Sequence, residues 1–208
     1  MRKLILAGML MLSVLSGKAQ YKLVTDLATF KVQFANAAKT TETIKSDFIQ
    51  EKNLSVLEEK IVSKGKFWFK KDNLVRMEYT QPFKYLMVIN KNNILIRDGQ
   101  NENKISTKSN KMFQQINKII VDCVQGTALN NPDFKFRVFE NNQTYMLELT
   151  PVTKGLKDFF KNVNITVDKK DYSVGKLEMV EASGDNTIIT FLNKELNQTI
   201  PNAVFAVN

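Results

Sequence analysis

Residues 65–98 read GKFWFKKDNLVRMEYTQPFKYLMVINKNNILIRD, and the alternation within them sets the architecture. Aromatic and branched apolar residues crowd the stretch. Its breaks are short and turn-like: Lys71-Asp72-Asn73, Gln81-Pro82 and Lys91-Asn92-Asn93. Such runs between such breaks predict strands over 60–70, 74–80, 85–90 and 94–98, joined as antiparallel neighbours. Side chains alternate between the two faces of a strand. Phe67, Phe69 and Lys71 therefore share one face, and Lys66, Trp68 and Lys70 the other. On the next strand Val75, Met77 and Tyr79 form the apolar set, against Leu74, Arg76 and Glu78.

Working outward, Ile44, Ser46, Phe48 and Gln50 alternate with Lys45, Asp47 and Ile49, which predicts a strand over 44–50. Before it, Leu23, Leu27, Phe30, Phe34 and Ala38 recur at three- and four-residue intervals, the stripe of a helix over 23–39. Downstream, a helix is expected from Ser109 to about Val124, capped by Ser109 and ended by Gly126. Met112, Ile116, Ile119, Ile120 and Cys123 line its apolar face. Strands resume over 134–140, 145–150, 162–168, 176–182 and 187–192, with a last short one over 203–207. Residues 153–160 fit either a helical turn or an early start of the following strand. There is no internal repeat, low-complexity tract or linker, so the expectation is one domain. It is mainly β with helices: a single large antiparallel sheet covered by an N-terminal and a mid-chain helix. A sheet this large twists and curls, giving it a concave side. Phe48, Phe67, Phe69, Val75, Met77 and Tyr79 are the candidates to line it. They could be an ordinary core packed against the helices or the wall of an apolar cavity, and composition alone favours the core.

Residues 1–19, MRKLILAGMLMLSVLSGKA, have the form of an export signal: Arg2 and Lys3, an apolar run from Leu4 to Leu15, then Gly17-Lys18-Ala19. Cleavage is expected after Ala19. The apolar run falls short of the ~20 residues of a membrane span. Gln20 and Tyr21 stand where a lipid anchor would need cysteine. Residues 20–208 are therefore expected as a free, soluble domain. Removing Arg2, Lys3 and Lys18 from the 30 basic residues leaves 27 against 21 acidic ones, a charge of +6. That balance could favour an acidic partner or an anionic membrane surface, but the lysines are scattered, which favours a well-solvated surface, and no nucleic-acid partner is expected. The chain has no histidine, so no imidazole can act as base, triad member or metal ligand. Cys123 is the only cysteine, which excludes an internal disulfide and a cysteine-rich zinc site. The eight glycines form no phosphate loop, and no Gly-x-Ser-x-Gly elbow exists. Glu58-Glu59 could do acid–base work but reads as a solvated loop. Neither enzyme, cofactor nor metal is expected.

The order of motifs across 65–98 resembles the LolA family of periplasmic lipoprotein carriers. A glycine, an aromatic strand and a basic pair are followed by a strand ending in Gln-Pro and a hydrophobic strand pair. Phe48-Ile49-Gln50 is similar to the family's preceding Phe-x-Gln, Leu147 to Pro151 to its Leu-x-x-Thr-Pro strand end, and Ser183 to Thr187 to its late turn. Asn197 through Phe205 matches the closing asparagine and phenylalanine. The resemblance implies an unclosed half-barrel whose concave apolar face is covered by helices acting as a lid. Phe48, Phe67, Phe69, Val75, Met77 and Tyr79 would line an acyl cavity, with Met112, Ile116, Ile119 and Ile120 on the lid helix.

Three departures stand out. The family's lid-latching arginine falls on Lys71, its following proline on Asp72, and its Asp-Gly turn on Lys91-Asn92-Asn93. Lysine is a flexible single donor group rather than a planar fork, so a Lys71 latch should be looser. Arg76 matches a less universal arginine, and alternation puts it on the face opposite Val75 and Met77, where a surface pair with a neighbour such as Glu78 is the favoured reading. The implied protein is a monomer that takes lipoprotein acyl chains from an inner-membrane transporter to an outer-membrane acceptor. A lipid- or lipoprotein-binding sensor, or a carrier of another envelope lipid, are the alternatives.

Overall fold

The computed structural model describes residues 20–91, 93–99, 101–106, 118–119, 121–122 and 126–207. Residues 1–19, with the expected export signal, lie outside them. Among the described residues twelve strands form one antiparallel sheet. They are β1 (Lys22–Leu23), β2 (Thr43–Leu54), β3 (Glu59–Lys70), β4 (Leu74–Gln81), β5 (Tyr85–Asn90), β6 (Asn93–Asp98), β7 (Asn101–Ser106), β8 (Phe134–Glu140), β9 (Thr144–Pro151), β10 (Phe160–Asp168), β11 (Val174–Glu181) and β12 (Asn186–Leu196). The order across the sheet is β1-β8-β9-β10-β11-β12-β2-β3-β4-β5-β6-β7. β1 and β7 form its two edges, so the sheet is unclosed. Helix α1 (Leu27–Thr40) and one turn of helix, α2 (Lys154–Lys157), accompany it.

Alternation is why these residues make this sheet. Most inner-facing members of the long strands are apolar, and they merge into one cluster running from Phe134 and Val138 through Val163, Ile165, Leu177 and Ile189 to Val75 and Ile94. Helix α1 closes over part of it, burying Phe30, Phe34 and Ala38. The Phe30 ring lies 4.5 Å from that of Tyr145. Asp26 starts the helix by accepting the Thr29 backbone N–H at 3.0 Å, and this bond holds its carboxyl below the ordinary aspartate range. α1 begins at Leu27 rather than Leu23: Leu23 keeps the helical spacing but pairs with Phe139 as strand β1 and is exposed.

A second, smaller cluster covers the opposite face. Leu74, Val88 and Leu95 pack there against Ile200 and Phe205 from the C-terminal segment. The expected strand over 203–207 is instead a 3-10 turn, Asn202–Phe205, in extended flanks. Its carbonyls are satisfied by side chains: Lys70 Nζ donates to the Ile200 carbonyl at 3.1 Å, Arg76 Nη1 to that of Val204 at 3.2 Å, and Asn90 Nδ2 to that of Phe205 at 3.0 Å. The segment is a strap across β3–β6 and not a strand of the sheet.

Gly65 is fixed by space. A Cβ there would stand 2.2 Å from the Glu78 carbonyl oxygen and 2.7 Å from the Phe48 ring, which lies across the gap. The register shift between Lys64 and Gly65 puts this crowding at a bulge. Gly65→Ala is expected to lower stability by about 1–3 kcal/mol through overpacking, read as a shifted urea midpoint with unchanged slope.

Candidate functional site

The sheet register assembles the inner face in rows. Ile44, Phe69, Val75, Ile89 and Ile94 lie across successive strands; Ser46, Phe67, Met77, Met87 and Ile96 form the next row. Phe48, Gly65, Tyr79, Tyr85 and Asp98 form the third. All six residues expected on the concave face, Phe48, Phe67, Phe69, Val75, Met77 and Tyr79, thus meet in one apolar wall. Five are buried and Tyr79 is half-buried at its end. Sequence reasoning missed that Met87, Ile89, Ile94 and Ile96 continue the wall. The unbroken apolar run of 85–89 carried that signal, since it marks a strand covered on both faces.

The wall turns polar at one end. Tyr79 donates its hydroxyl to Gln50 Oε1 at 2.9 Å, and its ring meets Phe48 edge-on at 4.9 Å. Burial pushes the Tyr79 hydroxyl pKa well above the ordinary tyrosine value, so it remains a neutral donor. Beside it Lys52 pairs with Glu181 at 2.8 Å, and Thr187 Oγ1 donates to the same carboxylate at 3.2 Å. Deeper in, the buried Ser46 hydroxyl has no hydrogen-bond partner among the described residues. A depression of about 320 Å³ at the same end of β4 and β5 is lined on the outer face by Arg76, Glu78, Leu86 and Arg97, with Tyr79, Lys84 and Tyr85 at its border.

Lys71 stands at the opposite end. It stands just past β3, where its Nζ donates to the Lys39 carbonyl in the last turn of α1 at 2.6 Å and also meets Glu42 Oε1. The helix C-terminus carries partial negative charge, so an ammonium group there is favoured. Asp72 follows at φ +72°. Proline, locked near −65°, could not adopt that turn, which accounts for the departure from the family pattern. Arg76 lies on the outer face, paired with Glu78 at 2.7 Å and over the Trp68 ring at 5.5 Å. It serves the strap and not the concavity.

Of the expected lid helix, Met112, Ile116 and Ile120 lie outside the described residues. Lys118, Ile119, Val121 and Asp122 are helical, and Ile119 is buried in the main cluster. Asp122 is clipped to the chain ahead of β8: its carboxylate accepts from Asn131 Nδ2 at 2.7 Å and Thr127 Oγ1 at 3.0 Å. Lys118 reaches Asp133 at 2.7 Å. Gly126 has a φ of +69° and comes so near α1 that a Cβ would lie 2.8 Å from Ala38 Cβ. No helix among the described residues is long and apolar enough to cross a membrane.

An unclosed antiparallel sheet with an apolar inner wall, a helix laid over it and one polar end is an open half-barrel. The family model described as "Outer membrane lipoprotein carrier protein LolA" matches residues 39–208. The chain belongs to the LolA family. No curated protein matches it. Among solved structures it is similar to a LolA superfamily protein, NE2245, from Nitrosomonas europaea (9% identity, 86% of this chain and 96% of that one, TM-score 0.45). It is also similar to MucB (13%, 89% and 64%, TM-score 0.53) and to an uncharacterized conserved protein from Thermus thermophilus (8%, 86% and 91%, TM-score 0.50). At these identities the likeness is one of fold.

Proposed function

We propose that the protein is a periplasmic carrier that binds lipoprotein acyl chains against the inner face of the half-barrel and shuttles them from the inner to the outer membrane. The observation that carries this reading is the continuous apolar wall under α1 in a member of the LolA family. Burying an acyl chain is worth ~0.8 kcal/mol per CH₂, so a long chain gains on the order of 10 kcal/mol gross. Helix α1 covers part of the apolar cluster through Phe30, Phe34 and Ala38. Cargo must therefore displace those contacts, and their loss offsets enough of the gain to permit release. The inner-membrane transporter that loads the carrier and the outer-membrane acceptor that unloads it are part of the same proposal.

Lys71 is the latch in this scheme, acting on α1 through the Lys39 carbonyl. Lys71→Leu should ease opening and hold cargo longer, slowing release about threefold to tenfold, as a charge–helix-end contact of ~1 kcal/mol implies. Lys71→Arg should favour the closed empty state and weaken net affinity. Dissociation of a fluorescent acyl ligand from the three proteins at one salt concentration is the test. A leucine variant that releases ligand as fast as the parent, or faster, removes Lys71 from the mechanism. Binding of the acyl ligand by none of the three removes the carrier reading itself.

A further inference from the structure

Three large apolar side chains stand almost bare at one end of the sheet. Val56 is 86% exposed and Leu57 62% in the turn between β2 and β3, and Phe83 is 79% exposed in the turn between β4 and β5. β2 and β4 both run antiparallel to β3, so these turns emerge at the same end. It is the polar end of the inner face, beside Tyr79, Tyr85 and Lys52. Ile61 and Val62 extend the exposed apolar surface down β3 from the first turn, whereas Leu23, Val32 and Leu192 stand singly elsewhere. The first turn is also braced. Asp185, in the turn between β11 and β12, accepts from the Ser55 backbone N–H at 2.9 Å and from its hydroxyl at 3.0 Å. A fixed base under an uncovered apolar apex is a presented feature and not a loose loop.

We propose that these two turns are a docking surface for a phospholipid bilayer, on which they set the mouth of the half-barrel. The inference rests on the reading of the inner face as an acyl site, because it gives the mouth a reason to face lipid. The shape argues for a bilayer over a protein partner. A stable protein interface covers roughly 800 Å² per side. Here the apolar groups crown two separate apices, with exposed Lys84, Lys60 and Lys64 around them. A fluid medium accepts such projections individually. Charge is a minor attraction: in 55–64, Glu58 and Glu59 balance Lys60 and Lys64, and the second turn adds only Lys84. Binding should therefore be driven by apolar insertion and survive high salt.

The test is co-sedimentation of the mature chain with vesicles of phosphatidylethanolamine and phosphatidylglycerol, for the parent and for the triple variant Val56→Ser, Leu57→Ser, Phe83→Ser. The parent should bind at low and high salt. The variant should lose at least about tenfold in partitioning, since three insertable side chains are gone. Its binding of a soluble fluorescent acyl ligand should be unchanged, since none of the three lines the inner face. In parallel, Leu57→Trp should show a blue-shifted emission, quenched by bromine-labelled lipid, above the Trp68 background of the parent. A parent that does not sediment, a variant that sediments equally, binding lost at high salt, or an unquenched indole in the Leu57→Trp protein overturns the docking surface. Failure of both proteins to bind the acyl ligand instead overturns the carrier reading, whatever the vesicles show.

Discussion

Met77→Glu is expected to abolish acyl binding, with a loss of at least about a hundredfold, because stripping water from a carboxylate costs several kcal/mol and each 1.4 kcal/mol is a factor of ten in affinity. Met77 is 3% exposed, in a row between Phe67 and Met87, at the middle of the apolar wall. That row, with Ser46 and Ile96, offers an ionised carboxylate no cationic partner. The carboxyl would answer by raising its pKa above the ordinary ~4.3 of glutamate. Its penalty should therefore be absent below that value and grow as pH rises towards the shifted one. Acid should restore both stability and binding, and neutral pH should remove them. Acyl titration and thermal unfolding in acid, near the ordinary glutamate pKa, and at neutral pH check this. A wall that opens for cargo can admit water around the new charge, so a folded but non-binding population is expected at neutral pH. Complete unfolding there would instead mark the inner face as a permanently closed core.

Phe205→Ala should do the opposite: large damage to stability and none to the binding of whatever remains folded. Phe205 is fully buried against Leu74, Val88 and Leu95 on the outer face, where it anchors the strap. Truncating such an aromatic costs about 3–5 kcal/mol, partly from lost burial and partly from the cavity left behind. Asn90 Nδ2 donates to the main-chain carbonyl of residue 205, an acceptor that the substitution keeps. Urea unfolding should show the loss, while acyl affinity per folded molecule stays at the parent value. A matching fall in affinity would mean that the strap and the inner face are coupled.

The alternation in 65–98 made β3 to β6 legible almost to the residue, and with them the shared face of Phe67, Phe69, Val75, Met77 and Tyr79. Elsewhere the same rule had nothing to work on. β7, Asn-Glu-Asn-Lys-Ile-Ser, is an edge strand without an apolar alternation, so its pairing with β6 leaves almost no mark in the sequence. At 203–207 the rule misled. Val204 and Phe205 are apolar because they pack on the outer face, while their backbone is bonded by Arg76 and Asn90, partners more than a hundred residues away. Leu23 continued the helical spacing by coincidence, although Asp26 held the N-cap signal that would have moved the start to Leu27. The Lys71 contact with a helix end was foreseeable from strand phase and the family pattern. That the helix is α1 became visible only in three dimensions.

Acyl chains are expected to occupy the inner face of this half-barrel. Photo-crosslinking with a triacylated lipopeptide carrying a diazirine in one acyl chain, followed by peptide mass spectrometry, reads the contact directly. Crosslinks should fall on inner-face residues such as Phe67, Met77, Met87 and Ile189, and should be competed by unlabelled lipopeptide. Crosslinks confined to the outer face around Trp68, Leu86 and Val204, or none above the uncompeted background, would contradict it.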